Sequence, residues 1–178
     1  NGLSSSLESF KADYQDYPPD FEELDRNRTF PNGPPPFART HASRFIRKNF
    51  QRISGADLSA IQVRAPTIDN AEALVLWLRG LSNDPQNPFS GPGGPLNSSD
   101  KRQPRFEFDA NRLGDRDADG FLEYYPPYPG LEQAMSYCYF NNIIYSFTFV
   151  DTSSARQYGY AEHNTSQLWR FDGTQSPP

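Results

Sequence analysis

The chain has 178 residues, a net charge of −5 and a mean hydropathy of −0.79. That length fits one domain, 1–178, with an adequate core, and the acidic balance argues against nucleic acid as a partner. Its one cysteine, Cys138, excludes an internal disulfide and a cysteine-rich zinc site.

Hydrophobic residues make up only 35%, but 15% are aromatic, and each ring buries a large area. Seventeen prolines and twelve glycines predict long loops between a few regular elements. The longest wholly apolar run, Ala73 to Leu78, is far below the ~20 residues that span a bilayer. No signal peptide is visible, and Asn1 need not be the natural start.

Leu3, Leu7, Phe10 and Tyr14 recur at spacings of four, three and four, one apolar stripe along a helix. Pro18 and Pro19 should stop it, with Tyr17 pushed out of helical geometry by the proline that follows. Nothing apolar precedes the serines that would cap it, so a free amphipathic helix and the end of a longer one fit equally. Residues 20–38, with Pro31, Pro34, Pro35 and Pro36, read as a charged loop. Thr40 to Arg52 returns to helical spacing. Phe45, Ile46, Phe50 and Ile53 lie on one side, and Arg44, Arg47, Lys48 and Arg52 on the rest. Between Arg26 and Ala56 there is no acid, whereas residues 1–25 hold seven acids against Lys11 alone. Internal charge complementarity between these segments is the favoured reading, and a basic patch for an acidic partner is the other.

Asp69 and Glu72 form the sequence of a capping box. The helix they open, Ala71 to Leu81, is apolar nearly all round and should be well buried, with Gly80 near its end. Asn83 to Asp100 is too long for a turn and reads as an excursion. Arg105 to Asp109 alternates and predicts a strand, and Phe121 to Tyr125 predicts a second. Met135 to Phe140 and Ile143 to Val150 flank Asn141-Asn142 as a hairpin would, with Tyr145, Phe147 and Phe149 on one face. Arg156 to Ala161 and Gln167 to Phe171 are further candidate strands. Helices first and an antiparallel sheet second make an α+β layout.

The chemistry gathers in Asp115-Arg116-Asp117-Ala118-Asp119-Gly120, followed by Glu123. Carboxylates on alternate residues surround one point with hard oxygen donors. A glycine in sixth place turns the backbone, bringing the Phe121 carbonyl toward the same centre. Such a shell suits calcium better than zinc or magnesium. Four acids within nine residues also repel one another unless a cation intervenes. Asp115, Asp117, Asp119 and Glu123 are the expected calcium ligands, against the alternative of an acidic surface turn. It is not a full EF-hand, because Pro126 stands where a bidentate Glu belongs and no helix is expected on either side.

Other groups carry less. His41 and His163 lack a spaced metal partner, and Cys138 in its aromatic run is expected to be a buried, inert thiol. Tyr124, Tyr125 and Tyr128 have the right chemistry to stack on sugars, but with prolines between them they are expected to pack the loop on the sheet. Asn27, Asn97 and Asn164 stand in N-x-S/T triplets, which are frequent by chance. No serine elbow, phosphate loop, zincin or dinucleotide motif is present, and carboxylate pairs alone do not make a glycosidase.

The run Leu7-Glu8-Ser9-Phe10-Lys11-Ala12-Asp13-Tyr14, ending in Tyr17-Pro18-Pro19, resembles the stem-helix exit of type II secretion pseudopilins. Ala71 to Leu78, and Phe108 to Asp115 through Tyr124-Tyr125-Pro126-Pro127, are similar to loop-rich members of that prepilin-type family. The resemblance covers about a third of the chain. It implies a truncated stem helix, 1–17, packed on a small antiparallel sheet, a helical and loop region, 18–103, and a β-rich region with a calcium loop, 104–178. It further implies a non-enzymatic filament subunit with other pseudopilin subunits as partners, no small-molecule substrate, and a periplasmic head anchored in the inner membrane by an N-terminal helix. The family's cleavage site and hydrophobic helix are absent here, and the head is larger than a major pseudopilin's, so shaft or tip stays open. The alternative is a secreted calcium-dependent module that binds carbohydrate or protein.

Overall fold

The computed structural model describes residues 2–24, 35–97, 102–127, 135–141, 148–151, 156–159 and 167–169. The architecture is mixed α+β: helices dominate the first half and short antiparallel ladders follow. α1 (Gly2–Tyr14) buries Leu3, Leu7 and Phe10, as its stripe predicts. It stops before the prolines. Gln15 takes a left-handed φ of +57°, and its side-chain amide donates to the Ala12 carbonyl, a local C-terminal cap.

α2 (His41–Asn49) starts at Thr40, whose hydroxyl accepts from the Ser43 amide. α3 (Gly55–Arg64) falls where no helix was expected. Its signal was Ser54, which caps Asp57 three residues on.

α4 (Asn70–Leu78) is the axis of the molecule, and every residue from Ala71 to Leu78 is buried. Its capping box is present as predicted: the Asp69 carboxylate accepts from the Ala71 and Glu72 amides, and Glu72 accepts from the Asp69 amide at 2.7 Å. Gly80, at φ +100°, lets the chain turn away. A Cβ there would lie 2.2 Å from the Gln103 carbonyl oxygen, so glycine is required where the returning strand of chain crosses. Trp77 sits among Phe10, Phe21, Phe45 and Phe89 with ring centroids 5.4–6.0 Å away, and its indole NH donates to the Pro19 carbonyl. Each of these buried rings stabilises the fold by roughly 2–3 kcal/mol, so this aromatic knot anchors α1, α2 and the 82–97 loop to α4.

Among the described residues three two-stranded antiparallel ladders follow. β1 (Leu113–Gly114) pairs with β2 (Glu123–Tyr124), β3 (Cys138–Phe140) with β6 (Gln167–Trp169), and β4 (Thr148–Asp151) with β5 (Arg156–Gly159). β2, β3, β5 and β6 lie where strands were expected, and β4 overlaps the end of the one expected at 143–150. The expected strand at 105–109 is not one. The Arg105 and Phe106 amides both donate to the Leu78 carbonyl, and Phe106 and Phe108 fold onto Tyr124, so aromatic packing displaces a ladder.

β3 pairs with β6, while the residues that would face β3 across the expected Asn141-Asn142 hairpin lie outside the described residues. Asn141 is fully buried: its backbone amide donates to Asp20 and its side-chain amide to the Pro18 carbonyl. Residues 142–147, with Tyr145 and Phe147, lie outside the described residues.

Candidate metal centre

The β1–β2 ladder brackets the acidic run, so its two strands hold the ends of the loop together. Within it Ala118 and Gly120 take φ values of +59° and +97°, which curls the backbone inward. Asp115 fastens the curl, since its two carboxylate oxygens accept from the Asp119 and Gly120 amides at 3.2 and 3.0 Å. Arg64 from α3 closes it from outside. Its guanidinium donates to the Asp119 carbonyl and lies 4.7 Å from the centre of the Phe121 ring.

The curl carries Asp117 and Asp119 to the first turn of α4. There the carboxylate oxygens of Glu72, Asp117 and Asp119 lie within 4.8 Å of one another. Glu72 is 1% exposed. One Asp119 oxygen accepts from the Phe121 amide, while the other, Oδ2, is buried without a hydrogen-bond partner. Ionised carboxylates only accept, so two that face each other cannot satisfy one another without a proton or a cation between them.

Burial pushes the Glu72 carboxyl up to about 9, and the charges of Asp69 and Asp119 add to the rise. Glu123 rises to about 7 from partial burial and the charges of Asp69, Asp117 and Asp115, with Arg116 pulling the other way. Its carboxylate also accepts from the Tyr125 hydroxyl. A site in which acids raise one another's affinity for protons is also one that a metal ion relieves. This triad could hold one.

Of the four acids expected as ligands, the structure brings Asp117 and Asp119 together. Asp115 is engaged in the loop's own amides, and Glu123 faces Tyr125 beside the triad. Glu72 was missed as a ligand because its capping role already explained it. Its signal was a charge inside a helix apolar on all sides.

The groups set aside keep quiet roles. His41 begins α2 with its Nε2 3.4 Å from Asp16. Burial raises the Cys138 thiol to about 11, which keeps it protonated and inert. Tyr124 and Tyr125 are buried, and Tyr124 packs against Phe106, Phe108 and Tyr137, so neither presents a face for a sugar. Tyr128, His163, Asn27 and Asn164 lie outside the described residues. A cavity of about 920 Å³ adjoins the triad between α3, α4 and the 90–97 segment, with Glu72, Arg64, Arg79 and Gly120 among its walls. No protein-family profile, curated protein or solved structure matches the chain.

Proposed function

We propose that this chain is the head of a non-enzymatic structural subunit of a cell-envelope filament, of the type II secretion pseudopilin kind, with calcium held by Glu72, Asp117 and Asp119. The observation that carries the reading is the seating of α1. Its stripe is buried from Leu3 in the first turn through Phe10 at the aromatic knot, which suits a helix that delivers load into the head from its N-terminal side. Among the described residues no helix is long and apolar enough to cross a membrane, so anchoring requires an apolar stretch upstream of Asn1. Reading the gene there is the test. A short basic leader and ~20 apolar residues are expected, and a plain cleavable signal peptide refutes the filament reading.

Calcium is the favoured ion because the donors are all carboxylate oxygens on a loop and a helix end. Magnesium demands near-ideal octahedral geometry and keeps its waters, and zinc prefers nitrogen and sulfur. In this role the ion ties the 115–122 loop to α4 without a disulfide.

The cavity beside the triad favours a second reading, a calcium-dependent binding module, because three carboxylates leave calcium with open positions on that side. A glycan array at millimolar calcium separates the two. Chelator-sensitive binding to a defined glycan supports the module, and a blank array removes its carbohydrate form.

A further inference from the structure

We propose that the cleft between α3 and α4 binds a small fatty carboxylate, with its head on Arg79 and its chain along the apolar walls. The cavity holds about 920 Å³, within the range of small-molecule sites. α3 makes it possible. Asp57 and Ile61 take the buried side of that helix, while Ala56, Ala60 and Val63, spaced four and three apart, line the cavity from a second side. Two of these three are alanines, too short to fill the space toward α4. Val63 lines the cavity and is still 69% exposed, so the cleft opens to solvent beside it.

The opposite wall comes from α4. Glu72, Val75 and Leu76, with Arg79 just past the helix end and still in helical geometry, lie at spacings of three, one and three on one face. That face is charged at its ends and apolar between, and Leu96 and Leu122 extend the apolar stretch. Seven residues of helical rise set Glu72 and Arg79 ~10 Å apart along the axis. The two ends differ in sign. Glu72 belongs to the acidic triad and is the one acid in the walls among the described residues. Arg79 is half-buried, and its side chain forms no hydrogen bond or ion pair among the described residues. Arg102 lies in the same walls, fixed by its guanidinium donating to the Pro95 carbonyl at 3.3 Å. An anionic head therefore belongs at the arginine end, away from the triad.

A guanidinium receives a carboxylate through two parallel hydrogen bonds, which are strong where water is partly excluded. One unpaired guanidinium balances one negative charge, as a carboxylate carries, whereas a phosphate monoester carries about two. A neutral sugar fits these walls less well. Phe121 is their one aromatic ring among the described residues, and the Arg64 guanidinium covers it at 4.7 Å. The ligand class deepens the binding-module reading and rests on it only for the use of this cavity, since the arginine end needs no calcium.

The test is calorimetric titration of the full chain in chelator with hexanoate, octanoate, octanol and acetate, with amide shifts of the 15N-labelled chain to place the ligand. Octanoate should bind about tenfold or more tighter than octanol, because only the acid pairs with a guanidinium. Each CH₂ added between hexanoate and octanoate should tighten binding roughly fourfold, and acetate should not bind. The shifts should fall in 56–64 and 72–79. Arg79→Gln should weaken octanoate about tenfold and leave octanol unchanged, a split that a general loss of structure would not produce. If that variant misfolds, Val63→Glu at an exposed position sets a negative charge at the cleft and should weaken octanoate more than octanol. Octanoate that fails to bind, that binds no tighter than octanol, that ignores chain length, or that shifts other segments overturns the proposal. Failure here leaves the glycan array to decide the carbohydrate form by itself, and a blank array leaves this ligand untouched.

Discussion

Two loops of this molecule are made from the same kinds of residue and treat a buried carboxylate in opposite ways. In the 82–97 loop, Asp57 reaches in from α3 with no exposure, and its oxygens accept from the Phe89 and Ser90 amides at 3.0 and 2.6 Å. Around it Asp84 accepts from the Gln86 amide and the Asn87 side chain, and the Ser54 hydroxyl donates to Asn87. In the 115–122 loop, Asp119 meets Glu72 and leaves Oδ2 buried without a donor. A buried anion with amides on both oxygens is complete as it stands. A buried anion facing another anion is complete only with a proton or a cation. The first loop should hold its shape under any condition, and the second only when something fills the gap.

The largest expected effect breaks the self-sufficient loop. Asp57→Ala strands the buried Phe89 amide and the part-buried Ser90 amide and removes acidic charge from the first turn of α3, so it should cost roughly 2–4 kcal/mol. The loss should be the same in calcium and in chelator. Urea denaturation in both conditions reads it, and a loss that calcium repairs would mean that the two loops are not independent.

Next comes the ion itself. Calcium at 100 times its dissociation constant should stabilise the folded chain by about 2.7 kcal/mol, seen as a melting point that rises with calcium concentration. Asp117→Ala with Asp119→Ala should abolish the rise. Glu72→Gln sharpens the point, because it keeps an acceptor for the Asp69 amide and removes the ionisable carboxyl. It should lose the calcium response yet exceed wild type in chelator at pH 8 by about 1 kcal/mol. A Glu72→Gln protein that still responds fully to calcium removes Glu72 from the ligand set.

The pH dependence follows from the same acids. Glu72 at about 9 and Glu123 at about 7 both lie above their ordinary value of 4.5 in the folded chain. A carboxyl with a raised folded pKa stabilises the fold fully below pH 4.5, and that contribution disappears as pH climbs through the folded value. In chelator the wild type should therefore lose stability relative to Glu72→Gln between about pH 5 and 9. Calcium binds the ionised form, so its stabilising effect should be larger at pH 8 than at pH 6. Parallel wild-type and Glu72→Gln curves across that range would remove the burial argument.

How much of this was legible follows from distance along the chain. The 115–123 run announced its own curl, and Gly120 at φ +97° is the turn its place in the run required. The capping box at Asp69 was legible for the same reason, all its parts lying within four residues. Glu72 as a partner of Asp119 was not, because nothing in a helix start says which loop will lie over it. That β3 pairs with a strand beginning at Gln167, and that Asn141 bonds to Asp20 and Pro18 from the far end of the sequence, was not legible either. Arg105 to Asp109 alternates as a strand does, but the alternation served an aromatic cluster. Local chemistry reads directly, whereas the partner across the fold depends on packing that no short window contains.

The most local substitution tests whether the curl matters to the ion or only to the surface. At Gly120 a side chain meets two obstacles: a φ of +97° that L-residues avoid, and the Arg64 guanidinium 3.3 Å from where a Cβ would stand. Gly120→Ala should cost about 1–2 kcal/mol through backbone strain alone. The more informative consequence is indirect. Arg64 holds the Asp119 carbonyl, so a methyl group that pushes the guanidinium aside loosens the residue whose carboxylate faces Glu72. The calcium-dependent rise in melting point should shrink along with the baseline. If the baseline falls and the calcium increment stays whole, the curl is only a surface turn, and the ion is held by side chains that do not depend on it.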